Sequence, residues 1–323
     1  MDKEMIKYVF RRLMLVVVTA FIIMFINFIF IKMLEPELPM MGPQAQNELA
    51  RREALGYNKP ILVQFGIYIR NIITDWDWGT SWKISYMTPV GDLLVSRFPP
   101  TVLLNIYSTV ISVPLGVIIG IIAALNKNTW LDHFLSTAVM VFISVPAFVY
   151  AFLLQYTVGF RLGLLPIVVS SYYDAGLSWF SREMIISMIM PTMAMAFGSI
   201  AFFARFTRAE LVESLTSDYM LLARTKGLSL YQATVRHALK NAMVPILPAI
   251  LATFLSVLTG SIVIEQIFAV GGVGNLALQA IQFRDYDVFV MTSMFYSMFG
   301  LTLGILVDLS YGFLDPRIRM GVR

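Results

Sequence analysis

Long apolar runs without a charged residue alternate with polar segments along the chain. A helix needs about 20 apolar residues, at a rise of about 1.5 Å each, to cross the hydrocarbon core of a bilayer. The runs of this length cover residues 13–31, 102–124, 134–158, 184–204, 246–264 and 288–307. The pattern predicts six transmembrane helices. We expect kinks at Pro114 in the second and Pro146 in the third, because proline removes a helical hydrogen bond.

The first apolar run predicts a retained membrane helix. Lys7, Arg11 and Arg12 precede it, as basic residues also precede a signal peptide. Its apolar stretch is nevertheless longer than the roughly 7–15 residues of a signal peptide. Phe28 and Phe30 stand where a cleavage site would have small residues. We therefore expect this segment to remain as a membrane-spanning helix.

The composition favours an all-α integral membrane protein. Of the 323 residues, 58% are hydrophobic and 14% charged, and the mean hydropathy is +0.75, whereas soluble domains contain about 25% charged residues. The chain has no cysteine, which excludes disulfides and thiolate metal sites. His133 and His237 have no second ligand at metal-binding spacing. We predict a lipid bilayer as the surroundings, with no metal, no cofactor and no nucleic-acid partner.

The basic residues predict the orientation in the membrane. Loops rich in Lys and Arg stay on the cytoplasmic side of a membrane. With a cytoplasmic N-terminus, the short extracytoplasmic loops contain only Arg161, Arg182 and Arg284, and most other basic residues fall in cytoplasmic segments. The sequence therefore predicts a multi-pass protein of the cell membrane with both termini and residues 205–245 in the cytoplasm.

The segment between the first two apolar runs, residues 32–101, is too long for this charge rule. Two stretches within it, 46–56 and 59–73, have the pattern of amphipathic helices, and Trp76, Trp78 and Trp82 follow them. Two interpretations remain open. The segment is either a cap that contacts an external donor protein or an interfacial segment whose tryptophans lie at the depth of the lipid headgroups.

The polar segment at residues 218–247 has its own helix signals. Ser217 or Asp218 is a suitable N-cap for a short helix that ends at Lys226, and Gly227 can adopt the left-handed conformation that closes it. Ser229, with Gln232 three residues later, forms a capping-box pattern for a second helix. The expected structure is a helix, a sharp turn and a second helix.

The second of these helices is predicted to be amphipathic. One face carries Leu228, Tyr231, Val235, Ala238, Leu239 and Ala242, and the other carries Gln232, Arg236 and Lys240. The polar face fits either a docking surface for a soluble partner or a helix that lies on anionic lipid of the inner leaflet.

The same segment carries a family resemblance. Ala223 and Gly227 within AR-x-KGL, followed by HAL-x-NA and Pro245, resemble the EAA loop of type I ATP-binding cassette (ABC) importers, in the form typical of peptide and nickel permeases. Leu221 stands where the EAA pattern has a glutamate, and Lys240 stands where it has a later proline. Both departures are usual for the peptide branch of the family.

The resemblance covers nearly the whole chain. It includes LGYNKPILVQF, RFPPTVLL, SVPAFVYAFLL, EQIFAVGGVGNL and DPRIR, in this order. It implies the six-helix, type I ABC importer permease (MetI-like) architecture of the first, long-loop subunit of an oligopeptide or dipeptide importer. The implied regions are an N-terminal helix with an extracytoplasmic part (1–100), a permease domain (101–312) that contains the loop at 205–245, and a cytoplasmic tail (313–323).

The resemblance also implies partners. These are a second homologous permease subunit, two cytoplasmic ABC ATPase subunits and an extracytoplasmic substrate-binding lipoprotein. The chain itself has no phosphate-binding loop, because Gly271, Gly272 and Gly274 lack the lysine and the hydroxyl residue of that motif. We expect a transport subunit without enzymatic activity, and ATP hydrolysis on the partner subunits.

Two sets of residues are candidates for the functional site. The ATPase-coupling surface is predicted to comprise Asp218, Tyr219, Ala223, Arg224, Lys226 and Gly227. The candidates for the translocation path are Asn105, Gln155, Thr192, Ser199 and Glu265, although uncharged polar groups also join membrane helices by hydrogen bonds.

The predicted function is ATP-driven import of peptides across the cytoplasmic membrane. Nickel or glutathione-like solutes are alternatives within the same family. A stand-alone secondary transporter is a further alternative, for which ionisable residues inside the spans are expected.

Overall fold

Helices make up nearly all of the regular structure. The computed structural model describes residues 3–33, 43–54, 56–170, 178–256 and 261–314. These residues divide into two compact units, those of 1–98 with 276–302 and those of 99–275 with 303–323. The motif DPRIR and the rest of the predicted tail from residue 315 onward lie outside the described residues.

The first unit begins with three helices and a short hairpin. They are α1 (Lys3–Met33), α2 (Pro43–Ala54), α3 (Ile61–Asp75), β1 (Thr80–Ser81) and β2 (Thr88–Pro89). The two strands pair antiparallel, with Thr80 opposite Pro89. The two amphipathic helices predicted at 46–56 and 59–73 are confirmed as α2 and α3, with ends shifted by two or three residues.

Ten further helices follow within the described residues. They are α4 (Val90–Leu125), α5 (Trp130–Ser144), α6 (Ala147–Leu154), α7 (Arg182–Leu215), α8 (Asp218–Thr225), α9 (Leu230–Ala233), α10 (Leu239–Leu255), α11 (Ile262–Ile267), α12 (Val273–Gln282) and α13 (Tyr286–Leu314). Two π-helical segments continue this series: Gln155–Arg161 extends α6, and Thr234–Ala238 connects α9 to α10. Helices α4, α12 and α13 contribute residues to both units.

The helices agree with the predicted membrane spans. Among the described residues, five helical segments are long and apolar enough to cross a membrane: Phe10–Phe30, Val90–Leu125, Arg182–Leu215, Leu230–Leu255 and Tyr286–Leu306. A sixth span results if the bent pair Trp130–Ser144 and Ala147–Arg161 is taken as one. The all-α, multi-pass membrane fold predicted from the sequence is confirmed.

The two predicted proline kinks differ. The helix axis turns by 95° between the two halves of the third span. The break lies at Pro146, whose extended backbone precedes α6 and whose ring nitrogen has no hydrogen to continue the helical ladder. In contrast, α4 is one helix through Pro114.

The fifth predicted span, residues 246–264, had the wrong boundaries. The helical segment begins earlier, at Leu230, and α10 ends at Leu255. Residues 257–260 lie outside the described part of the chain, and α11 then begins as a separate helix. The hydroxyl of Ser261 caps α11 by accepting a hydrogen bond from the backbone N–H of Ile264. A serine cap interrupts a helix without any charge, so a search for charge-free runs could not detect this boundary.

Aromatic side chains join α1 and α3 in the core of the first unit. The ring of Phe65 in α3 lies 5.5, 5.0 and 5.3 Å from the rings of Phe21, Phe25 and Phe28 in α1. Two residues of α13 are buried in the same cluster. Edge-on contacts of this kind contribute beyond simple burial of area, so they fix α3 along the side of α1.

Two aspartates hold the hairpin segment, residues 76–89. One carboxylate oxygen of Asp285 accepts hydrogen bonds of 2.6–3.1 Å from the hydroxyl of Ser81 and from the backbone N–H groups of Trp82, Lys83 and Ile84. Asp287, at the start of α13, accepts a hydrogen bond from the backbone N–H of Thr80 at 3.1 Å. Asp285 is buried, and these donors replace the water that its charge would otherwise require.

A pair of glycines brings α4 close to α7 in the second unit. A Cβ atom on Gly116 would lie 2.7 Å from the carbonyl oxygen of Ile200, and one on Gly120 would lie 2.6 Å from that of Ala204. Glycines four residues apart leave one helix face flat, which allows two membrane helices to approach closely. Glycine is therefore required at both positions by the contact between the two helices.

An ion pair joins α5 to α7. The guanidinium of Arg208 donates to both carboxylate oxygens of Asp132, at 2.6 and 2.7 Å. Asp132 is buried and also accepts a hydrogen bond from the backbone N–H of Asn128 at 2.9 Å. This paired geometry fixes the orientation of both side chains.

Candidate functional site

The segment after α7 forms the predicted helix, turn and helix, here called the two-helix loop (residues 216–242). Helix α8 ends at Thr225, and Gly227 has a φ of +87°, in the left-handed region. The N–H of Gly227 donates to the carbonyl of Arg224 at 3.0 Å, and that of Leu228 donates to Ala223 at 3.3 Å. A Cβ atom on Gly227 would contact nothing within 4 Å. The turn therefore requires glycine for its backbone conformation and not for space.

The predicted capping box at the second helix is confirmed. The N–H of Gln232 donates to the hydroxyl of Ser229 at 3.2 Å, and the N–H of Ser229 donates to the side-chain oxygen of Gln232 at 3.1 Å. Ser217 occupies the N-cap position of α8, but its side chain makes no capping hydrogen bond. The start of α9 is thus fixed more firmly than the start of α8.

Small side chains attach the two-helix loop to the ends of the longer helices. Ala223, Ala233, Ala238 and Ala242 are buried together with Met220, against Ala124 of α4 and Leu211 of α7. Alanine allows the backbones to approach closely, because its methyl group fills little space between them. The loop consequently lies directly on the ends of α4 and α7.

The predicted faces of the second helix were partly wrong. Tyr231 and Val235 were assigned to the packed face, but they are 77% and 47% exposed. Tyr231 precedes the π-helical segment Thr234–Ala238 and is exposed on α9 itself, whereas the wider turn of that segment rotates the residues after it relative to α9. The buried positions Ala233 and Ala238 are five residues apart, a spacing that an α-helical pattern does not anticipate.

A hydroxyl network supports the start of α8. The hydroxyl of Ser214 donates to the carbonyl of Ala238 at 2.8 Å, and it also bonds with the hydroxyl of Tyr219. Because Ser214 has a single hydroxyl hydrogen, Tyr219 is the donor in the second bond. Burial raises the pKa of Tyr219, hydrogen bonds with Ser214, Ser217 and Asn241 lower it, and the net change is downward.

Most of the predicted coupling residues reach the surface of this loop. Asp218, Tyr219, Arg224, Lys226 and Gly227 are exposed. Ala223 differs, because it is only 6% exposed and its methyl group lies in the buried cluster. Ala223 therefore lies beneath the exposed surface and packs the loop against the buried cluster.

The exposed surface also contains apolar residues that the predicted set of coupling residues left out. Leu221 is 67% exposed, and Leu222, Leu230 and Tyr231 are exposed beside it. Leu221 is the residue that replaces the glutamate of the EAA pattern. Its apolar character, at a position where the EAA pattern has a charged residue, was the signal that could have identified it. The surface is therefore a mixture of large apolar side chains and the basic residues Arg224 and Lys226.

The candidate path residues lie in the second unit and have different surroundings. Asn105 is buried and donates to the carbonyl of Thr101 at 2.8 Å. Thr192 is buried, and its hydroxyl has no hydrogen-bond partner among the described residues. Ser199, two turns further along α7, is half-buried. Thr192 and Ser199 thus lie on one face of α7.

Gln155 lies at the start of the first π-helical segment. Its side-chain amide donates to the carbonyls of Ile167 and Ile267 at 3.0 and 2.8 Å. A cavity of about 350 Å³ beside it is lined by Phe152, Gln155, Tyr156, Phe160 and Ile167. π-Helical turns are frequent at functional sites, since they displace side chains from the regular helical positions.

Glu265 in α11 is fully buried within a hydrogen-bonded turn. Its carboxylate accepts hydrogen bonds from the hydroxyl of Thr101 at 2.9 Å and from the backbone N–H of Asn275 at 3.0 Å. A Cβ atom on Gly274 would lie 2.9 Å from the same carboxylate. The glycines after α11 therefore leave room for this side chain, and its carboxyl group lies at the N-terminal end of α12, where a helix favours negative charge.

The helices and the loop define a class of protein: a multi-pass α-helical membrane protein with a charged loop packed on the ends of two of its long helices. Residues 116–320 match the family model described as "Binding-protein-dependent transport system inner membrane component", and residues 5–105 match the model of the N-terminal part of such components. The chain belongs to this family. It is a permease subunit of a membrane-embedded ABC importer that contains other subunits.

Relatives are similar over almost the entire chain. Identity is 36% over 319 residues with the dipeptide transport system permease protein DppB of Bacillus subtilis (strain 168), covering 98% of this chain and 99% of the relative. Identity with the glutathione transport system permease protein GsiC of Escherichia coli (strain K12) is 35%, with the same coverage.

A solved structure also shares the fold. A chain of the inward-facing MetNI methionine ABC transporter matches with a TM-score of 0.51 and 19% identity, covering 72% of this chain and 98% of that chain. At this level of identity the likeness concerns the fold alone. The predicted type I importer architecture agrees with it.

Proposed function

We propose that this permease subunit imports peptides, driven by ATP hydrolysis on partner subunits that dock on the two-helix loop. The coupling role is supported by one observation, which is that one side of the loop is buried and the other is exposed. One side is buried on the ends of α4 and α7. The other exposes Leu221, Leu222, Arg224 and Lys226 around the turn at Gly227.

Such a loop can transmit movement because it is continuous with the membrane helices. At one end it follows α7, and at the other it continues through α9 and the second π-helical segment into α10. Displacement of α8 by a partner would move both spans together with the buried alanines. ATP on the partner then biases two states of the permease through the contacts that the loop makes in each.

The proposal includes the orientation and the partners. The loop and both termini lie in the cytoplasm, as the positions of the basic residues indicate. Two cytoplasmic ATPases, a second homologous permease and an extracytoplasmic substrate-binding lipoprotein complete the importer. Asp218, Tyr219, Arg224, Lys226 and Gly227 form the docking surface together with the exposed leucines, and Ala223 supports it.

The substrate class rests on the relatives. The Bacillus subtilis relative is named for dipeptides and the Escherichia coli relative for glutathione, itself a tripeptide, at nearly equal identity to this chain. Peptides are therefore the substrate class that both relatives support. A glutathione-like solute is the second candidate, favoured by the latter relative.

The proposed path uses the candidate polar residues in two ways. Asn105, Gln155, Thr192 and Ser199 line it in our proposal, with the unpartnered hydroxyl of Thr192 available to a solute in another state of the transporter. Glu265 is assigned to holding the turn between α11 and α12, because its carboxylate already has hydrogen-bond partners there.

Substitution of Gly227 tests the coupling role. Gly227→Val places a β-branched residue in a left-handed turn, which such residues rarely adopt. In the complete importer reconstituted in vesicles, we expect peptide uptake per ATP hydrolysed to fall about 5- to 30-fold, the effect of losing about 1–2 kcal/mol of coupling free energy. Uptake and ATP hydrolysis are measured in the same preparation.

Gly163 offers a matched control. It also has a positive φ, +61°, and a Cβ atom there would contact nothing within 4 Å, but it lies far along the chain from the two-helix loop. Gly163→Val should therefore impose similar backbone strain and leave the ratio of uptake to hydrolysis unchanged. Equal losses in both variants, or normal coupling in Gly227→Val, would contradict the proposed role of the loop.

A further inference from the structure

Helix α3 (Ile61–Asp75) has three faces. Phe65, Tyr68 and Ile72 are buried against the rest of the first unit. Arg70 and Thr74 lie on the side opposite to this buried face, and Gln64, Asn71 and Asp75 lie along one flank of it. Along the other flank runs an apolar stripe of Leu62, Gly66, Ile69 and Ile73, at spacings of four, three and four residues. Trp76 continues the stripe just after the helix.

Most of this stripe is not covered by protein within the described residues, and only Ile69 is half-buried, against the aromatic cluster of the first unit. Leu62 is 66% exposed, Ile73 is 77% exposed and Trp76 is 71% exposed. A contiguous exposed apolar surface rimmed by polar residues is characteristic of a surface that contacts another phase or another molecule. The remaining question is whether that surface meets lipid or a soluble protein.

The packing of α3 on α1 fixes its depth. Phe65 contacts Phe28, Phe25 and Phe21, which lie two, five and nine residues before the end of the span Phe10–Phe30. At about 1.5 Å per residue, these contacts lie about 3–14 Å inside that end of the span. Only 11% of the span is itself buried in the protein. The part of α3 around Phe65 therefore lies below the membrane surface that α1 defines.

The end of α3 has the features of a membrane interface. Trp76 terminates the helix with a left-handed φ of 55°, and its backbone N–H donates to the carbonyl of Ile72 at 3.1 Å. Its ring meets that of Trp78 edge-on at 5.6 Å. Tryptophan is enriched at the level of the headgroups, because its ring is apolar and its N–H is polar. Ile73 would thus lie just below this level and Trp76 at it.

We propose that α3 is an interfacial brace, inserted beside α1 into the leaflet at the C-terminal end of that span, with Leu62 and Ile73 in contact with lipid acyl chains. In the proposed orientation this is the outer leaflet. The stripe lies on a helix packed beside α1, a span that is itself mostly exposed, and a soluble protein would have to penetrate the headgroup layer to reach the stripe at this depth. The polar side with Thr74 faces the headgroups and water.

Single cysteines test this placement, because the chain has none of its own. Leu62→Cys and Ile73→Cys probe the stripe, and Thr74→Cys is the matched control on the polar side. Each chain is labelled with an environment-sensitive fluorophore and assembled with its partner subunits in phosphatidylcholine and phosphatidylglycerol nanodiscs. We expect quenching by spin-labelled acyl chains at positions 62 and 73. Iodide should quench position 73 roughly tenfold less than position 74, as for a side chain about 5–10 Å below the interface.

The other outcomes overturn the proposal. Strong iodide quenching at position 73, lost when the substrate-binding protein is added, would show that the stripe docks that protein. Protection from both iodide and lipid quenchers would show that another subunit covers it. Because all three positions are exposed, the substitutions remove no buried contact, and ATP-dependent uptake by each variant confirms that the labelled importer is assembled.

Discussion

The two-helix loop and the hairpin segment both connect longer helices, but different interactions hold them. The loop is packed on α4 and α7 through alanines, with one hydroxyl network at Ser214. The hairpin is held by the Asp285 carboxylate, which accepts four hydrogen bonds, three of them from successive backbone N–H groups. One attachment is apolar and non-directional, and the other is charged and directional.

This difference suggests different mechanical roles. Apolar contacts tolerate small shifts, because their energy depends on buried area and not on a fixed angle. Hydrogen bonds to a buried carboxylate weaken steeply with distance and angle. We therefore expect the hairpin to keep its geometry in all states of the importer, whereas the two-helix loop can adjust when its partner moves.

Removal of the Asp285 carboxylate should have the largest effect. Asp285→Ala leaves the Ser81 hydroxyl and three backbone N–H groups without their acceptor. Each unsatisfied buried donor costs about 1–3 kcal/mol, and water that enters the site recovers part of this, so we expect a loss of about 3–5 kcal/mol in the free energy of unfolding. Hydrogen exchange should accelerate at Trp82, Lys83 and Ile84.

Asp75 is the control for this prediction. Its carboxylate is exposed and accepts a local hydrogen bond from Thr74. Asp75→Ala should change stability by less than about 0.5 kcal/mol, as exposed substitutions usually do. Equal rates of hydrogen exchange at the hairpin amides of Asp285→Ala and Asp75→Ala would refute the directional attachment of the hairpin.

The apolar attachment of the loop is tested by an enlarged side chain. Ala238 is fully buried, and Ala238→Leu adds three carbons between the loop and α7. Overpacking of this kind costs about 1–3 kcal/mol. We expect faster hydrogen exchange across α8 and α9 and less peptide uptake per ATP hydrolysed in the reconstituted importer.

Val235 provides the comparison within the same π-helical segment. It is 47% exposed, so Val235→Leu should leave both exchange and coupling close to those of the unchanged protein. Equal tolerance of leucine at positions 235 and 238 would mean that the alanine contacts do not hold the loop.

Local features were predictable from the sequence, because the residues that cause them are neighbours. The capping box depends on Ser229 and Gln232, three positions apart, and the turn depends on Gly227 alone. Span length and composition likewise reveal a membrane helix without knowledge of its contacts. For this reason the all-α fold and the shape of the two-helix loop were anticipated.

Features that depend on distant residues were not predictable. Asp285 and Ser81 are 204 positions apart, and neither has an unusual neighbourhood in the sequence. The π-helical turn at Thr234–Ala238 changes which side chains are buried without any proline or glycine to mark it. Glycine is needed at positions 116 and 120 only because the backbone of α7 packs against this face of α4. These features arise from packing, which overrides the local pattern.

The smallest effect is expected at the capping box. It shows how much of the stability of the two-helix loop comes from local hydrogen bonds, in comparison with the hairpin segment. Ser229→Ala removes the acceptor for the N–H of Gln232 and should destabilise the start of α9 by about 1 kcal/mol. Hydrogen exchange at Gln232 should then accelerate about fivefold, while exchange at the buried Ala238 stays unchanged. Thr225→Ala, which removes an exposed hydroxyl bonded within α8, is the control.

If exchange accelerated throughout α8 and α9 instead, the cap and the alanine contacts would form one cooperative unit. The loop would then be as rigidly specified as the hairpin, contrary to the distinction between them.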